Sequence, residues 1–129
     1  MLAIPVKENR SEALIVSDLY GNVPFFALTD GKTLEVVENE GCGNGIETAE
    51  FLLKKGVTDT LYIHMGSGPF ETLYKGGIRV FCLGKEVPSF DDALTRFNAG
   101  KLPQVTPENS ETLLDPGMPS GNCECGCEN

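Results

Sequence analysis

The last seven residues of the chain contain its clearest candidate for metal chemistry. Cys123, Cys125 and Cys127 alternate with Glu124 and Gly126. Thiols at alternate positions of a short extended or looped segment can all face one soft metal ion or cluster. Three thiols do not complete a tetrahedral set, so a further ligand must come from the rest of the chain, another chain or an exogenous group. The pattern predicts metal or cluster binding. The alternative is a flexible C-terminal segment whose thiols bind no metal.

A second candidate thiol, Cys42, lies in the glycine-rich segment Gly41-Cys42-Gly43-Asn44-Gly45. The glycines leave the thiol unshielded, and the positive end of the helix that follows favours a thiolate. Such an environment suits a metal ligand or a redox-active cysteine. The alternative is that the glycines only allow a tight turn from strand to helix. Cys82, by contrast, lies within an apolar strand and is predicted to be part of the core.

His64 is the single histidine of the chain, and it ends a predicted strand just before Gly66-Ser67-Gly68-Pro69. Functional side chains of open α/β sheets collect at such strand ends, although a single histidine is also compatible with a structural role. The backbone N–H groups of Gly66, Ser67 and Gly68 can bind an anion or the sulfides of a cluster. The segment lacks the features of a dinucleotide fingerprint and of a P-loop.

The predicted strands lack the acidic residues that a metal-dependent nuclease requires. The ranges 2–6, 60–64 and 78–83 contain no Asp or Glu, so a two-metal phosphoryl-transfer site has no ligands there. The chain also shows no nucleophile elbow with Ser, His and Asp partners. We therefore predict a protein that is not an enzyme.

The composition excludes two classes of partner. Ten Lys and Arg against nineteen Asp and Glu give a formal net charge of -9, and no basic stripe is present to neutralise the phosphates of nucleic acid. No apolar run approaches the roughly 18 residues of a transmembrane helix, and no secretory signal is visible. We expect a cytoplasmic protein without a membrane partner. Five cysteines in a reducing compartment are more consistent with metal ligands than with a disulfide framework.

The elements that must position these candidates alternate in a regular order. Strands are predicted at residues 2–6, 23–28, 33–37, 60–64 and 78–83, and the second and third are joined as a hairpin across Asp30-Gly31. Helices are predicted to begin at Asn44, Pro69 and Ser89. The order βββαβαβα predicts a three-layer α/β fold, with a mixed five-stranded sheet and helices on both faces. Right-handed crossovers would then bring Cys42 and His64 to a common crevice.

The end of the chain has a different composition. Residues 104–129 hold five acids, no Lys or Arg, and several Pro and Gly residues. Such a segment is predicted to be a mostly flexible tail. The boundary is expected near Gly100 to Pro103, which divides the chain into a domain of residues 1–102 and an acidic Pro/Gly/Cys-rich tail of residues 103–129.

Several segments of the first hundred residues resemble those of one known family. They are Ala3-Ile4-Pro5-Val6, Tyr20-Gly21-Asn22-Val23-Pro24-Phe25-Phe26, the loop around Cys42, His64-Met65-Gly66-Ser67-Gly68-Pro69-Phe70 and Gly77-Ile78-Arg79-Val80. Together they resemble the NifX/NifB-like dinitrogenase iron-molybdenum cofactor biosynthesis family, over roughly residues 1–100. The resemblance implies a ribonuclease H-like fold without nuclease activity, prokaryotic origin, and the binding or carriage of iron-sulfur or molybdenum-containing clusters.

One motif departs from the family. Its members commonly have His-Phe-Gly-Arg where this chain reads Leu19-Tyr20-Gly21-Asn22, so a histidine that could ligate a cluster and an arginine that could neutralise it are absent. We therefore assign the ligand roles to Cys42, His64 and the tail thiols.

The leading hypothesis is a non-enzymatic carrier of an iron-sulfur or iron-molybdenum-type cluster, which is passed to a client metalloprotein. The first alternative is a protein-interaction module whose cysteine tail binds zinc or copper. A redox enzyme that uses Cys42 is a further alternative, disfavoured because no resolving cysteine is near it in the sequence. The sequence leaves the oligomeric state open.

Overall fold

The computed structural model describes residues 1–9, 14–84 and 86–114. The strands are β1 (Leu2–Val6), β2 (Phe25–Thr29), β3 (Leu34–Glu38), β4 (Asp59–Tyr62), β5 (Arg79–Cys82) and β6 (Gln104–Val105). The helices are α1 (Gly45–Lys54), α2 (Ser67–Lys75), α3 (Phe90–Asn98) and the short α4 (Ser110–Leu113). None of the helices in this part of the chain combines the length and the hydrophobicity needed to cross a bilayer.

All six strands form one mixed sheet in the order β3-β2-β1-β4-β5-β6. Strand β2 is antiparallel to both of its neighbours, and β6 is antiparallel to β5, whereas β1, β4 and β5 are parallel. Strands β1, β3, β4 and β5 therefore run in one direction, and the loops that follow them leave the same edge of the sheet, as predicted. The β2–β3 hairpin is also confirmed, with Gly31 at a φ of 96° in its turn.

In the described part of the chain the sheet has six strands and not the predicted five. Strand β6 pairs with β5 through Val80 and Val105 and through Phe81 and Gln104. Two residues are too few to show a strand periodicity, and they lie in a segment whose acidic, proline-rich composition favours a tail. The packed structure continues past residue 102, because Val105 and Leu114 are both buried. Residues 115–129, including the predicted ligands Cys123, Cys125 and Cys127, lie outside the described residues.

The core consists of two apolar clusters, one on each face of the sheet. The first contains Leu52 of α1 and Leu73 of α2, together with Leu114 after α4. The second contains Phe90 and Ala93 of α3. Helices therefore cover both faces, as the element order predicted. Cys82 is buried in the first cluster, which confirms its assignment to the core.

One acidic residue does lie in a strand that was predicted to contain none. Strand β4 begins at Asp59, one residue before the predicted start, because Asp59 pairs in register with Arg79 of β5. Their side chains form an ion pair, with Arg79 Nε 2.6 Å from Asp59 Oδ1. Asp59 stands at the beginning of its strand, at the edge opposite to the loops that carry Cys42 and His64. A carboxylate held there contributes no ligand to a site at the other edge.

Candidate functional site

Three segments meet at the edge where the parallel strands end. They are residues 19–22 before β2, residues 41–45 between β3 and α1, and residues 64–68 between β4 and α2, and we call this region the crevice. The N–H group of Gly43 donates to the carbonyl oxygen of Gly21 over 2.9 Å. Gly45 packs so closely on the ring of Pro69 that a Cβ atom would collide with it. These contacts bring the loops of Cys42 and His64 side by side.

A buried asparagine that the sequence analysis did not identify holds the first of these loops. Asn39 is only 3% exposed, and its Nδ2 donates to the carbonyl oxygen of Val23 over 2.9 Å and to Thr48 Oγ1 over 3.0 Å. Its Oδ1 accepts from the N–H group of Gly41 over 2.9 Å. Asn39 thus ties the end of β3 to α1 and to the segment before β2. An amide residue directly after the end of β3 was the available signal.

The packing against α1 leaves no space for a side chain at position 41. A Cβ atom at this position would collide with the backbone of Glu47 and Thr48 in α1. The buried Thr48 hydroxyl lies 3.0 Å from the carbonyl oxygen of Gly41 and 3.2 Å from that of Gly21. The turn is therefore pressed onto the helix, and this close approach supplies a structural reason for a glycine at the position.

Cys42, next to that turn, is exposed. Its Sγ lies 3.2 Å from the carbonyl oxygen of Asn22, to which the thiol donates. Asn44 caps α1 as predicted, because its Oδ1 accepts from the N–H groups of Ile46 and Glu47, each over 3.0 Å. These amide groups are therefore satisfied within the chain. The Cys42 thiol is exposed, whereas the amide groups of Ile46 and Glu47 at the start of α1 already donate to Asn44.

His64 lies two residues after the end of β4 and is exposed, whereas the neighbouring Met65 is buried. Helix α2 begins at Ser67 rather than at the predicted Pro69, so Ser67 and Gly68 form its first turn. Among the described residues, no side chain caps this helix, whose N-cap residue is Gly66. The first N–H groups of a helix have no intrahelical partner and favour anions. The start of α2 therefore offers amide groups that the start of α1 does not.

The segment that differs from the family motif, residues 19–22, is part of the crevice. Leu19 is 47% exposed, whereas Tyr20 is buried and its hydroxyl oxygen lies 2.7 Å from Thr60 Oγ1. Burial raises the pKa of Tyr20, and the hydrogen bond with Thr60 offsets only part of this effect. Tyr20 therefore supports the fold as a neutral phenol. A Cβ atom on Gly21 would lie 3.0 Å from Gly45 Cα, which accounts for the glycine at this position.

The predicted ligands do not form a complete metal site within the described residues. In residues 1–9, 14–84 and 86–114, no three His, Cys, Asp or Glu side chains are grouped so that they could hold a metal ion. Cys42 and His64 are on neighbouring loops, and Gly66, Ser67 and Gly68 are at the start of α2. A site that uses Cys42 and His64 needs ligands from the tail, from another chain or from the cluster itself.

Comparison with known proteins agrees with this architecture. Residues 1–100 match the family described as dinitrogenase iron-molybdenum cofactor. The apo form of the orange protein from Desulfovibrio gigas has a similar structure, with a TM-score of 0.72 and 24% identity over 81% of this chain and 92% of that chain. A NifB-like protein from Thermotoga gives a TM-score of 0.65 and 29% identity over 80% and 90% of the two chains.

A dinitrogenase-related protein from Methanocaldococcus jannaschii has the same fold, with a TM-score of 0.62 and 15% identity over 81% of this chain and 93% of that chain. Among curated proteins, none matches the sequence significantly. The likenesses at 24% and 15% identity establish the fold alone.

Proposed function

Because the chain belongs to the dinitrogenase iron-molybdenum cofactor family, we propose that it binds and carries an iron-sulfur or molybdenum-containing cluster during the biosynthesis or delivery of a metallocofactor. The protein acts as a cytoplasmic carrier and not as an enzyme, and a client metalloprotein receives the cluster. The cluster is the cargo of the protein.

The observation that carries the proposal is the close packing of Gly45 on Pro69. This contact joins the loop of the exposed Cys42 to the start of α2, where Gly66 leaves the helix without a side-chain cap. A thiolate and an imidazole are suitable ligands for iron and other transition metals. Backbone N–H groups can donate to the sulfides of a cluster, and such hydrogen bonds tune its charge and potential. The crevice thus supplies complementary contacts for a bulky anionic group.

The tail supplies the ligands that the crevice does not have. Cys123, Cys125 and Cys127 are three thiols on one short segment, and in the proposed mechanism they capture the metal or hand it over. The strand order supports the interpretation of the fold as ribonuclease H-like. Asp59 is paired with Arg79 at the opposite edge, which is consistent with a carrier rather than a phosphoryl-transfer enzyme.

A second candidate function is a protein-interaction module whose tail binds zinc or copper. It is favoured by one observation, the absence of a group of three potential metal ligands in the described part of the chain. In this alternative the tail thiols hold the ion, and the crevice has no part in metal binding.

The test is elemental analysis, together with a visible absorption spectrum, of the full chain purified anaerobically without a chelator. We expect iron or molybdenum, inorganic sulfide and charge-transfer bands. A crevice variant (Cys42→Ser with His64→Ala) should lose most of the absorbance, whereas the matched Cys82→Ala variant of the buried thiol should keep it.

Two other results would change the conclusion. Zinc or copper at about one ion per chain, lost only when Cys123, Cys125 and Cys127 are replaced by Ser, would establish the alternative. A colourless and metal-free protein that also fails to incorporate iron and sulfide would contradict both candidate functions.

A further inference from the structure

The outer side of β3 is an open edge of the sheet. β3 is the terminal strand, and its only strand neighbour among the described residues is β2. The pairing with β2 is continuous from Leu34 to Glu38 without a bulge, and the strand contains no proline. A regular edge of this kind presents a row of backbone N–H and C=O groups that can pair with another strand.

The hydrogen bonds to β2 identify the residues whose backbone faces this edge. The N–H group of Asn39 donates to the carbonyl oxygen of Pro24 over 2.8 Å, and these two residues continue the register of the hairpin. Hydrogen-bonded and non-hydrogen-bonded pairs alternate along an antiparallel ladder. Glu35 and Val37 therefore bond to β2, as Asn39 does. The residues whose backbone N–H and C=O groups point towards the open edge are Leu34, Val36 and Glu38.

The side chains along the edge limit which strand can pair there. Glu35 and Glu38 are exposed, and the exposed Glu40 follows in the turn that leads to α1. At the other end of the strand, Lys32 is exposed in the hairpin turn. Val36, at the centre, is half-buried and packs against the second apolar cluster. Because like charges directly opposite each other destabilise a strand pair, the partner strand must be apolar at its centre and must place no acid opposite Glu35 or Glu38.

A second copy of the same strand meets these conditions. We propose that β3 pairs with β3 of a second copy, antiparallel and centred on Val36, so that the two sheets join into one. All five residues of the strand are then paired, and Val36 faces Val36 of the other copy. The remaining pairs are Leu34 with Glu38 and Glu35 with Val37. No acid of the strand therefore lies opposite an acid.

The charges just outside the two ends of the strand favour the same register. Lys32 and Glu40 are each four positions from Val36, so Lys32 of one copy lies opposite Glu40 of the other. This pair occurs twice in the dimer, and oppositely charged cross-strand pairs are stabilising. Any other centre separates Lys32 from Glu40, and a centre at Glu35 or Glu38 places that acid opposite itself. Charge complementarity therefore selects both the occupant and its register.

The dimer also alters the charge beside the crevice. Glu40 lies two positions before Cys42, so the hairpin turn of one copy lies next to the Cys42 loop of the other. Lys32 of the second copy thereby offsets the negative charge of Glu40, which favours the binding of an anionic cluster at this loop. This consequence rests on the proposed function, whereas the pairing of the strands does not.

The pairing can be tested by sedimentation velocity on the metal-free full chain. A chelator and a reducing agent are present, so that neither metal ions nor disulfides join the chains. An interface of one short strand is small and corresponds to a weak dimer, so the protein concentration is varied from about 10 μM to about 1 mM. We expect the sedimenting mass to rise from 13.9 kDa, the mass of one chain, towards twice that value. The mass of one chain at every concentration would overturn the proposal.

Amide hydrogen exchange locates the interface. When half of the chains are paired, exchange at the edge-facing amides of Leu34, Val36 and Glu38 should be about twofold slower than in a dilute sample. The amides of Glu35 and Val37, which bond to β2 in either state, should exchange at the same rate in both samples. A protein that sediments as a dimer without slower exchange at the edge-facing amides would contradict the proposed interface.

A matched pair of proline variants compares the two edges of the sheet. Val36→Pro removes the N–H group at the centre of the proposed pair, and an edge strand tolerates proline where the N–H group points outward. Gln104→Pro is the control at the edge formed by β6. The N–H group of Cys82 donates to the carbonyl oxygen of Pro103 over 3.0 Å, so the N–H group of the next residue, Gln104, points away from β5. We expect Val36→Pro to sediment as one chain and Gln104→Pro to associate like the wild type, and equal association of both would overturn the proposal.

A charge exchange tests the register with variants that do not disturb the strand, because Lys32 and Glu40 are both exposed. Lys32→Glu replaces two ion pairs of the dimer by two repulsive pairs and should weaken association about fivefold. Glu40→Lys should weaken it to the same extent, and the double variant should associate like the wild type. Weaker association in the double variant than in either single variant would overturn the proposal. Because no metal is present, the result is independent of whether the protein carries a cluster.

Discussion

The hydroxyl group of Tyr62 donates a hydrogen bond to the carbonyl oxygen of Leu113 over 2.7 Å. This bond connects the end of β4, next to the crevice, to the last residue of α4. Helix α4 has only four residues, too few for a helix that is stable by itself. Its position therefore depends on the contacts of Leu113 and Leu114 with the rest of the molecule.

Tyr62→Phe should loosen α4 without unfolding the sheet. The phenylalanine ring fills the same space, and the lost hydrogen bond costs about 1 kcal/mol. We expect faster amide hydrogen exchange in residues 110–114 and little change in β1 and β4. Tyr20→Phe is the control, because it also removes a buried tyrosine hydroxyl, but one that is hydrogen-bonded to Thr60 and not to α4. Equal protection of residues 110–114 in the wild type and Tyr62→Phe would show that the bond does not hold α4.

Gly45→Ala should destabilise the protein and separate the two loops of the crevice. The added methyl group collides with the Pro69 ring, and overpacking of this kind costs about 1–3 kcal/mol. Urea unfolding measures the loss. Gly66→Ala is the comparison, since no atom lies within 4 Å of a Cβ at that position, and its effect should not exceed about 1 kcal/mol, the preference of an N-cap position for glycine over alanine. Similar losses for both variants would contradict the packing argument.

Asn39→Asp should destabilise the loop of Cys42. The substitution keeps an oxygen that can accept from Gly41, but it removes both donations from Nδ2 and places a carboxylate near the carbonyl oxygen of Val23. We expect a loss of roughly 2–3 kcal/mol in the free energy of unfolding, because buried polar groups are left unsatisfied. Asn98→Asp, at the exposed end of α3, provides the comparison. An unaltered urea midpoint in Asn39→Asp would show that the network is dispensable.

Tyr20 should make stability depend on pH in the alkaline range. Burial raises the pKa of this phenol in the folded protein, whereas an unfolded tyrosine has a pKa of about 10. The contribution of the protonated group is therefore fully present below about pH 10 and is lost as the pH rises towards the folded pKa. Unfolding midpoints measured at increasing pH should fall less steeply in Tyr20→Phe than in the wild type. Parallel profiles would contradict this assignment.

Local signals in the sequence were sufficient to predict much of the fold. Asn44 and Ser89 each cap a helix through hydrogen bonds to residues two or three positions later, so the sequence alone predicts both helix starts. The hairpin at Gly31 is equally local. Strand β6 could not be predicted in this way, because its two residues form a strand only through their partners Val80 and Phe81.

In the candidate site, too, the features that depend on local sequence could be predicted and those that depend on distant contacts could not. The glycines around Cys42 and the position of His64 after a strand predict loops that could carry ligands. The contact of Gly45 with Pro69 and the bonds of Asn39 to Val23 and Thr48 join positions 9 to 24 residues apart. No local periodicity reports such pairs. Their discovery required the three-dimensional structure.

The position of β1 has a consequence for the synthesis of the protein. This strand precedes β2 and β4 in the sequence, yet it lies between them in the sheet. The meander of β1, β2 and β3 can form as soon as residue 38 has left the ribosome. The other edge of β1 must wait until β4 has been made, which begins 53 residues after Val6. At about 5–20 residues per second this delay is roughly 3–10 s, during which an apolar strand edge of the nascent chain is open to the wrong partner.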